Sequence, residues 1–364
     1  MVKVAVAMSG GVDSSAAAFL LKEQGHEVIG ITLRLWHHND ERTRSGGCCS
    51  IDDIADARRV CDHLGIRHYV LDLEKEFCTS VVDDFVGEYL RGRTPNPCIV
   101  CNEKIKFGLL LQKTLALGFD RMATGHYVCI ESGYGSSGNE AMLLKKGKDS
   151  GKDQSYVLYR LTQKELAHLV FPLGDYSKSG IRAVAERNKL PVAHKPESQE
   201  ICFIDKDYAS FLRSYVPGFD KKFMPGPIVN AEGATIGTHR GLPFYTIGQR
   251  SGLGLTSPRP LYVNKIEVKR NRLVVGEKED VFFAKMTVDN VSWIAGEPPS
   301  FPFNAEVKIR RQHHPAPAVV KKEGKKMLVE FEVPQMAITP GQSAVFYDGD
   351  YTLGGGLIAA SSNS

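Results

Sequence analysis

The sequence predicts an open α/β domain with a parallel sheet over residues 1–207, then two smaller β-rich domains, 208–280 and 281–364, the last a β-barrel. Three observations carry this expectation. A chain of 364 residues is long enough for two or three domains with real cores. Its first 130 residues alternate apolar strand runs with helical spacing, the pattern of parallel strands joined by right-handed crossovers. From about Tyr208 the texture changes to Gly and Pro punctuation between short β-branched and aromatic runs, an all-β pattern.

The individual elements follow in order. Val2 to Ala7 reads as a strand, Ser14 to Glu23 as a helix, Glu27 to Leu35 as a strand, Ile51 to Leu64 as a helix and His68 to Leu73 as a strand. Later strands are expected around Ile228, at Leu261 to Val268, Arg272 to Val275, Ala305 to Arg310 and Met327 to Phe331. The acidic turn Glu277 to Asp280 marks the division between the two β modules.

Composition excludes several classes. Hydrophobic residues at 42% and charged residues at 24% are globular values, against a fibrous or long disordered chain. No run approaches the roughly 20 apolar residues of a membrane span, and Val2 to Met8 lacks a signal peptide's basic lead, so a cytoplasmic protein without a membrane partner is expected. The eight cysteines (Cys48, Cys49, Cys61, Cys78, Cys98, Cys101, Cys129, Cys202) should then be resting thiols, any disulfide being transient. Residues 206–364 carry 20 Lys and Arg against 15 Asp and Glu, and residues 1–205 carry 26 against 27. That basic excess permits a polyanionic partner without requiring one.

The most informative segment is Met8-Ser9-Gly10-Gly11-Val12-Asp13-Ser14-Ser15, between the first strand and the first helix. Two glycines let the backbone approach an anion closely, and Ser14, Ser15 and the amides of the helix start are expected to face phosphate. The loop has neither a G-x-x-x-x-G-K-[ST] lysine nor a G-x-G-x-x-G run. It resembles the PP-loop of the ATP pyrophosphatases, which split ATP into an adenylated intermediate and pyrophosphate. That resemblance implies ATP and Mg²⁺ as cofactors, with Asp13 helping to hold the metal.

A nucleophile has to come from elsewhere. Thr94-Pro95-Asn96-Pro97-Cys98-Ile99-Val100-Cys101-Asn102 reads as a proline-stiffened loop presenting a thiol, with Lys104 and Lys106 near enough to favour thiolate. Ser198-Gln199-Glu200-Ile201-Cys202-Phe203 offers a second thiol. Cys61, Cys78 and Cys129 are assigned as buried structural residues. Cys98 and Cys101 also have the spacing of half a metal site; zinc is disfavoured for want of a second pair, and a three-cysteine iron–sulfur cluster including Cys202 stays open.

With Pro95-Asn96-Pro97, Cys101-Asn102, Ala123-Thr124-Gly125-His126-Tyr127, Gly151-Lys152-Asp153-Gln154-Ser155-Tyr156, Ser198-Gln199 with Cys202, and Phe244-Tyr245-Thr246-Ile247-Gly248-Gln249-Arg250 added to the loop, the whole chain resembles the tRNA-specific 2-thiouridylases. The resemblance implies adenylation of the C2 oxygen of wobble uridine and its replacement by persulfide sulfur, giving 2-thiouridine, AMP and pyrophosphate. It implies Cys202 as persulfide carrier and Cys101 as the nucleophile that closes a transient disulfide with it. It implies nucleotide contacts from Ala7, Met8, Ser9, Gly10, Gly11, Val12, Asp13, Ser14, Leu33 and Gly125, and tRNA contacts from Asn96, Pro97, Cys98, Lys152, Asp153, Gln154, Arg310 and Arg311. Expected partners are the tRNAs for Lys, Glu and Gln, and a sulfur donor, either a cysteine desulfurase or a persulfide relay protein. Cys98 departs from the family's pattern as an extra thiol beside the nucleophile.

Bland alternatives accompany several of these residues. Gly147 to Gln154 has the composition of a surface loop, and His126 that of a satisfied histidine beside a turn. Arg310 and Arg311, consecutive on an expected strand, would face opposite sides, leaving one as a structural residue. Arg240 with Gly241 to Leu255 reads equally as a packing seam against the first domain. A PP-loop amidotransferase or ligase, or an RNA-binding or sulfur-carrier protein with a degenerate loop, are the competing functions; Cys101 with Cys202 argues against the former and the intact Ser9 to Ser15 string against the latter.

Overall fold

The computed structural model describes residues 1–36, 51–197, 201–204 and 207–363; Cys48, Cys49 and the Ser198-Gln199 pair lie outside them. Strands β1 (Lys3–Ala7), β2 (Glu27–Arg34), β3 (Arg67–Asp72) and β4 (Arg121–Ala123) are followed by a hairpin, β5 (Val128–Tyr134) and β6 (Glu140–Lys146), and then by β7 (Leu169–Val170). The first sheet runs β3-β2-β1-β4-β7, with every pairing parallel. Val4, Ala5 and Val6 are buried because helices cover both faces, which is why β1 reads as a continuous apolar run. Helix α1 (Val12–Glu23) lays Ala16, Ala17 and Ala18, all fully buried, toward that sheet. Helix α2 (Ile51–Leu64) matches its expected bounds. Since β2 and β4 flank β1 on opposite sides, the end of β1 is the switch point where such sheets bind ligands.

The central unit holds β8 (Gly226–Val229), β9 (Thr235–His239), β10 (Tyr262–Glu267) and β11 (Arg272–Gly276), ordered β10-β11-β8-β9. It departs from the all-β expectation at its start, where Tyr208–Tyr215 and Phe219–Lys222 are helical. The Asp207 carboxylate accepts from the Ser210 amide at 2.9 Å and caps the first of these helices, a signal that the Gly and Pro texture downstream obscured. Tyr208 stacks on Tyr89 at 4.8 Å, and Leu242, Phe244, Tyr245 and Leu253 share a core with residues of the first domain. The segment from Gly241 is thus a packing seam.

The last unit contains β12 (Phe282–Trp293), β13 (Phe303–Lys308), β14 (Ala316–Glu323), β15 (Lys326–Met336), β16 (Ser343–Asp348) and β17 (Tyr351–Ser362). They run β12-β15-β14-β13-β16-β17, and β12 pairs with β17 to close an antiparallel barrel. The β5–β6 hairpin of the first domain joins this barrel, Tyr351 pairing with Lys145 and Thr352 with Leu144. Buried tyrosines reinforce that junction: the Tyr156 hydroxyl donates to the Ser343 carbonyl at 2.9 Å, and the Tyr159 and Ser343 hydroxyls lie 3.1 Å apart. No described helix is long and apolar enough to cross a membrane.

Two sets of contacts hold described residues of the segment on either side of Cys202, at Lys195 and at Phe203. Lys195 Nζ bonds the Gly10 carbonyl at 3.1 Å and the carboxylates of Asp53 and Asp56 on α2, tying helix, phosphate loop and segment together. Burial works against the Lys195 ammonium, but the two carboxylates outweigh it and its pKa is raised. Phe203, 1% exposed, sits edge-on or tilted against Trp36, Phe77, Phe85 and Phe211 with ring centroids 5.2–6.0 Å away.

Phe203→Ala should lower stability by about 3–5 kcal/mol, the range for a deleted core phenyl, measured as a shift in the denaturant midpoint. A loss below about 1 kcal/mol would mean the aromatic cage does not hold this segment. Lys195→Met should cost about 2–4 kcal/mol at pH 7 because it removes the cation shared by two buried carboxylates and leaves Asp56 to Arg59. Burial favours protonation of the Asp56 carboxyl, but Lys195 and Arg59 outweigh it and hold its pKa below the usual value. Its stabilisation is therefore present above about pH 4 and lost as pH falls through that lowered value. The variant's deficit should accordingly shrink as pH falls below about 4; a pH-independent deficit would show that ion pairing is not its cause.

Candidate active site

The chain leaves β1 at Ala7 and enters the phosphate loop. The Ser9 amide donates to Ser14 Oγ at 3.1 Å, and the two serine hydroxyls lie 3.2 Å apart, so the loop closes on its own helix. Gly10 has φ +68°, and a Cβ there would lie 2.2 Å from the Asp53 carbonyl oxygen. Gly125, just beyond β4, lies so near the loop that a Cβ would come within 2.7 Å of the Ser14 amide nitrogen. Glycine is required at both positions by close backbone approach. Ser15 departs from expectation: it is fully buried and its hydroxyl donates to the Gly11 carbonyl at 2.8 Å, so it faces the helix instead of the loop's mouth.

Over this loop opens a cleft of about 360 Å³, a size suited to a small-molecule ligand. Of the nucleotide residues expected from the sequence, Ala7, Met8, Ser9, Gly11, Val12, Asp13, Ser14, Leu33 and Gly125 line it. Gly10 is absent from the lining because it backs onto Asp53. One wall is apolar, from Ala7, Ile31, Leu33 and Leu35, and fits a flat ring. The rest is polar and carries Lys106, Lys152, Lys178, Lys195 and Arg311 against Asp13, Asp53 and Glu197, a cationic balance that favours an anion.

Asp13 is held from two sides. The Tyr127 hydroxyl donates to its Oδ1 at 2.7 Å, and Lys178 Nζ bonds its two oxygens at 2.7 and 2.8 Å. Burial, then the Asp13 carboxylate, pushes the Tyr127 phenol well above its usual pKa, so it stays a donor. His126 is buried beside Thr124 Oγ1 at 2.7 Å, and burial, then Lys106, drives its pKa well below the usual value, leaving it neutral. Glu197 bonds Lys152 at 2.7 Å and Lys178 at 3.1 Å. The Lys152 hydrogen bond leads the effects that lower its pKa.

A hard cation bound by one carboxylate together with a substrate's phosphates suits the oxygen donors of Asp13 and Ser14. Three thiols do not converge: among the described residues no group of three or more His, Cys, Asp or Glu side chains is arranged to hold a metal ion. The described donors therefore do not fit an iron–sulfur cluster.

The thiols fall in different environments. Cys202 lines the cleft. Cys101 is 8% exposed and does not; it belongs to the core cluster against which Cys202 packs. The expected proline-stiffened loop is a helix instead, running continuously through Pro97–Val100, Cys101–Leu110 and Leu111–Ala116. Asn96 accepts from the Cys98 amide at 3.2 Å and Pro97 takes the first position, so the same residues that stiffen a loop start a helix. Cys98 is exposed and Cys101 faces inward one turn later. Lys104 pairs with Glu103 at 2.9 Å. Cys61 is buried as expected, but Cys78 and Cys129 are only half-buried, Cys129 Sγ lying 3.7 Å from Asp175.

Lys152, Gln154 and Arg311 line the same cleft, whereas Asn96, Pro97, Cys98, Asp153 and Arg310 do not. The Asp153 carboxylate accepts from the Gly147 and Ser155 amides and the Ser155 hydroxyl, which shapes the Gly147–Gln154 loop. Arg310 and Arg311 lie in the bend after β13, not on a strand. Arg310 donates to the Met336 carbonyl at 3.1 Å, whereas Arg311 turns from the barrel into the cleft. Lys178, Lys195 and Glu197 were missed by sequence reasoning, because isolated charges far from the loop carry no local signal.

Three family models tile the chain: a tRNA methyl transferase HUP domain over residues 2–206, a tRNA methyl transferase PRC-barrel domain over 209–277 and an aminomethyltransferase beta-barrel domain over 283–358. Curated relatives match nearly end to end. The tRNA-specific 2-thiouridylase MnmA 2 of Thermoanaerobacter sp. (strain X514) is 51% identical over 360 residues, covering 98% of this chain and 97% of the relative. The tRNA-specific 2-thiouridylase MnmA of Heliobacterium modesticaldum is 50% identical over 98% of this chain and 92% of its own length. That of Symbiobacterium thermophilum is 47% identical over 99% and 93%. The models' descriptions say methyltransferase and the relatives' names say thiouridylase; the relatives span the whole chain, so the assignment follows them. The chain belongs to the tRNA-specific 2-thiouridylase family, enzymes that transfer sulfur to tRNA.

Proposed function

We propose that this chain activates the C2 oxygen of wobble uridine with ATP and replaces it with sulfur carried on Cys202. The observation that supports this most is that the phosphate loop, Cys202 and Arg311 of the barrel line a single cleft. In this reading residues 1–207 form the catalytic unit, with 208–280 and 281–364 as the central and barrel units, and the reaction takes place in the cytoplasm. The tRNAs for Lys, Glu and Gln are the proposed substrates. A cysteine desulfurase or persulfide relay supplies the sulfur.

The triphosphate lies on the loop amides at the start of α1, and the adenine lies against Leu33 and its apolar neighbours. Asp13 and the phosphates hold Mg²⁺, which when bound supplies positive charge to the departing pyrophosphate. A uridine carbonyl oxygen is a poor leaving group; attack of that oxygen on the α-phosphorus expels pyrophosphate, and the adenylated oxygen can then depart as AMP. Cys202 carries the persulfide. The Cys101 thiolate attacks Cys202 Sγ, which forms the Cys101–Cys202 disulfide and releases hydrosulfide. Hydrosulfide adds to C2, AMP leaves, and an external dithiol reduces the disulfide back to two thiols. Lys152, Gln154 and Arg311 guide the RNA loop; Asn96, Pro97 and Cys98 form the approach to the target base, which leaves its stack to reach the cleft.

Protein incubated with ATP, Mg²⁺, sulfide and tRNA should yield 2-thiouridine and AMP together. Folded protein that yields neither would reject the reading. Cys202→Ser should abolish thiolation driven by a persulfide donor and leave tRNA affinity unchanged; collapse of affinity would make Cys202 a structural residue. For Arg311→Ala, the slope of log affinity against log salt should fall in magnitude by about one. An unchanged slope would remove Arg311 from the phosphate contacts.

A further inference from the structure

Lys178 is 9% exposed, and the reading above gives it no part. Its position is set from both ends. Its backbone amide donates to Asp149 Oδ2 at 2.9 Å, and it opens the helix Lys178–Arg187 behind the Ser177 cap. Its ammonium has three donors. Three acceptors meet them: Asp13 Oδ1 at 2.7 Å, Asp13 Oδ2 at 2.8 Å and Glu197 Oε1 at 3.1 Å. Asp13 belongs to the phosphate loop, and Glu197 lies five residues before Cys202. Lys152 bonds the other oxygen of Glu197 at 2.7 Å.

We infer that Lys178 is a positioning residue for the reaction: by bridging Asp13 and Glu197 it makes the setting of the sulfur-bearing segment depend on what occupies the phosphate loop. The inference rests on the reading that the loop takes ATP. The physical reason is competition. Phosphate that draws on the ammonium, or a cation that takes an Asp13 oxygen, competes with the contacts Lys178 makes to Asp13 and Glu197. The Glu197 contact is then either released or left as the ammonium's remaining carboxylate partner. In both cases Glu197, five residues before Cys202, is held differently when nucleotide is present. A lysine that only neutralised Asp13 would need no contact with Glu197.

The test follows Cys202 itself. The full-length protein is alkylated with iodoacetamide with and without saturating Mg²⁺ and α,β-methylene-ATP, and modification of Cys202 is timed by peptide mass spectrometry. Calorimetry measures binding of the analogue to the same samples. In the unsubstituted protein the analogue should change the Cys202 rate by about fivefold or more, the lower end of ordinary site-to-site coupling. Glu197→Gln should bind the analogue yet lose that change; Lys178→Met should bind it more weakly and, at saturation, lose the change as well; and Lys178→Arg should restore at least part of it. If the analogue binds the unsubstituted protein without altering the Cys202 rate, or if Glu197→Gln keeps the full change, the inference is overturned. If the unsubstituted protein does not bind the analogue, the nucleotide reading itself fails, a result distinguishable from the other two.

Discussion

A loop of backbone amides at a helix start attracts phosphate, yet this one carries carboxylates on two sides, Asp13 within it and Asp53 behind it. Left to themselves, these would repel the polyanion the loop is shaped for. Lys178 takes both oxygens of Asp13, and Lys195 takes Asp53 together with Asp56 and the Gly10 carbonyl. Both lysines come from the stretch between β7 and Cys202, more than 150 residues after the loop. The loop's affinity for anions therefore depends on ion pairs made from the stretch that precedes Cys202.

The barrel enters the site through a second long-range constraint. The β5–β6 hairpin leaves the first domain and pairs with β17, so one sheet belongs to both units. Rotation of the barrel would break those backbone bonds and uncover Tyr156, Tyr159 and Tyr347, each essentially buried. From the other side, Gln342 donates to the Thr94 and Pro95 carbonyls at 2.9 and 3.2 Å, and the Thr94 amide donates to the Pro340 carbonyl at 2.9 Å. Those bonds hold the entry to the Cys98 and Cys101 helix. Arg311 can therefore reach a cleft in another domain without a flexible arm, since its supporting frame is shared with that domain.

What the sequence disclosed divides by range. The phosphate loop was legible because its requirements are local: a strand, two glycines, an acid and a helix start within fourteen residues. Ile51 to Leu64 was legible by periodicity. The lysines at 178 and 195 were not, because their meaning depends on carboxylates over 130 residues away. The stretch at Pro95 to Cys101 misled for a different reason: Asn-Pro serves a turn and a helix cap equally, and the helix wins because Ile99, Ile105 and Phe107 gain burial on it. Arg310 and Arg311 diverge at a bend and not by strand alternation, so the expected geometry does not apply to them.

The two thiols given roles in the proposed reaction differ in surroundings as those roles require. A sulfur carrier must meet both a donor and a bound substrate, and Cys202 is half-exposed on the cleft wall, anchored by Phe203 immediately after it. A resolving thiol does harm if it attacks early, since it would discharge the persulfide before the uridine is activated. Cys101 sits 8% exposed within a core, on a helix whose wide turns begin at that residue, and Asn102 is pinned to the Val157 carbonyl at 3.1 Å. Wide turns of this kind are lengthened helix, a geometry that recurs at functional positions. Burial withholds such a thiol sterically, so in the proposed reaction its attack waits for a rearrangement at the helix start. Cys98, exposed one turn earlier, has no such protection, which makes it the less suitable of the pair for the resolving role.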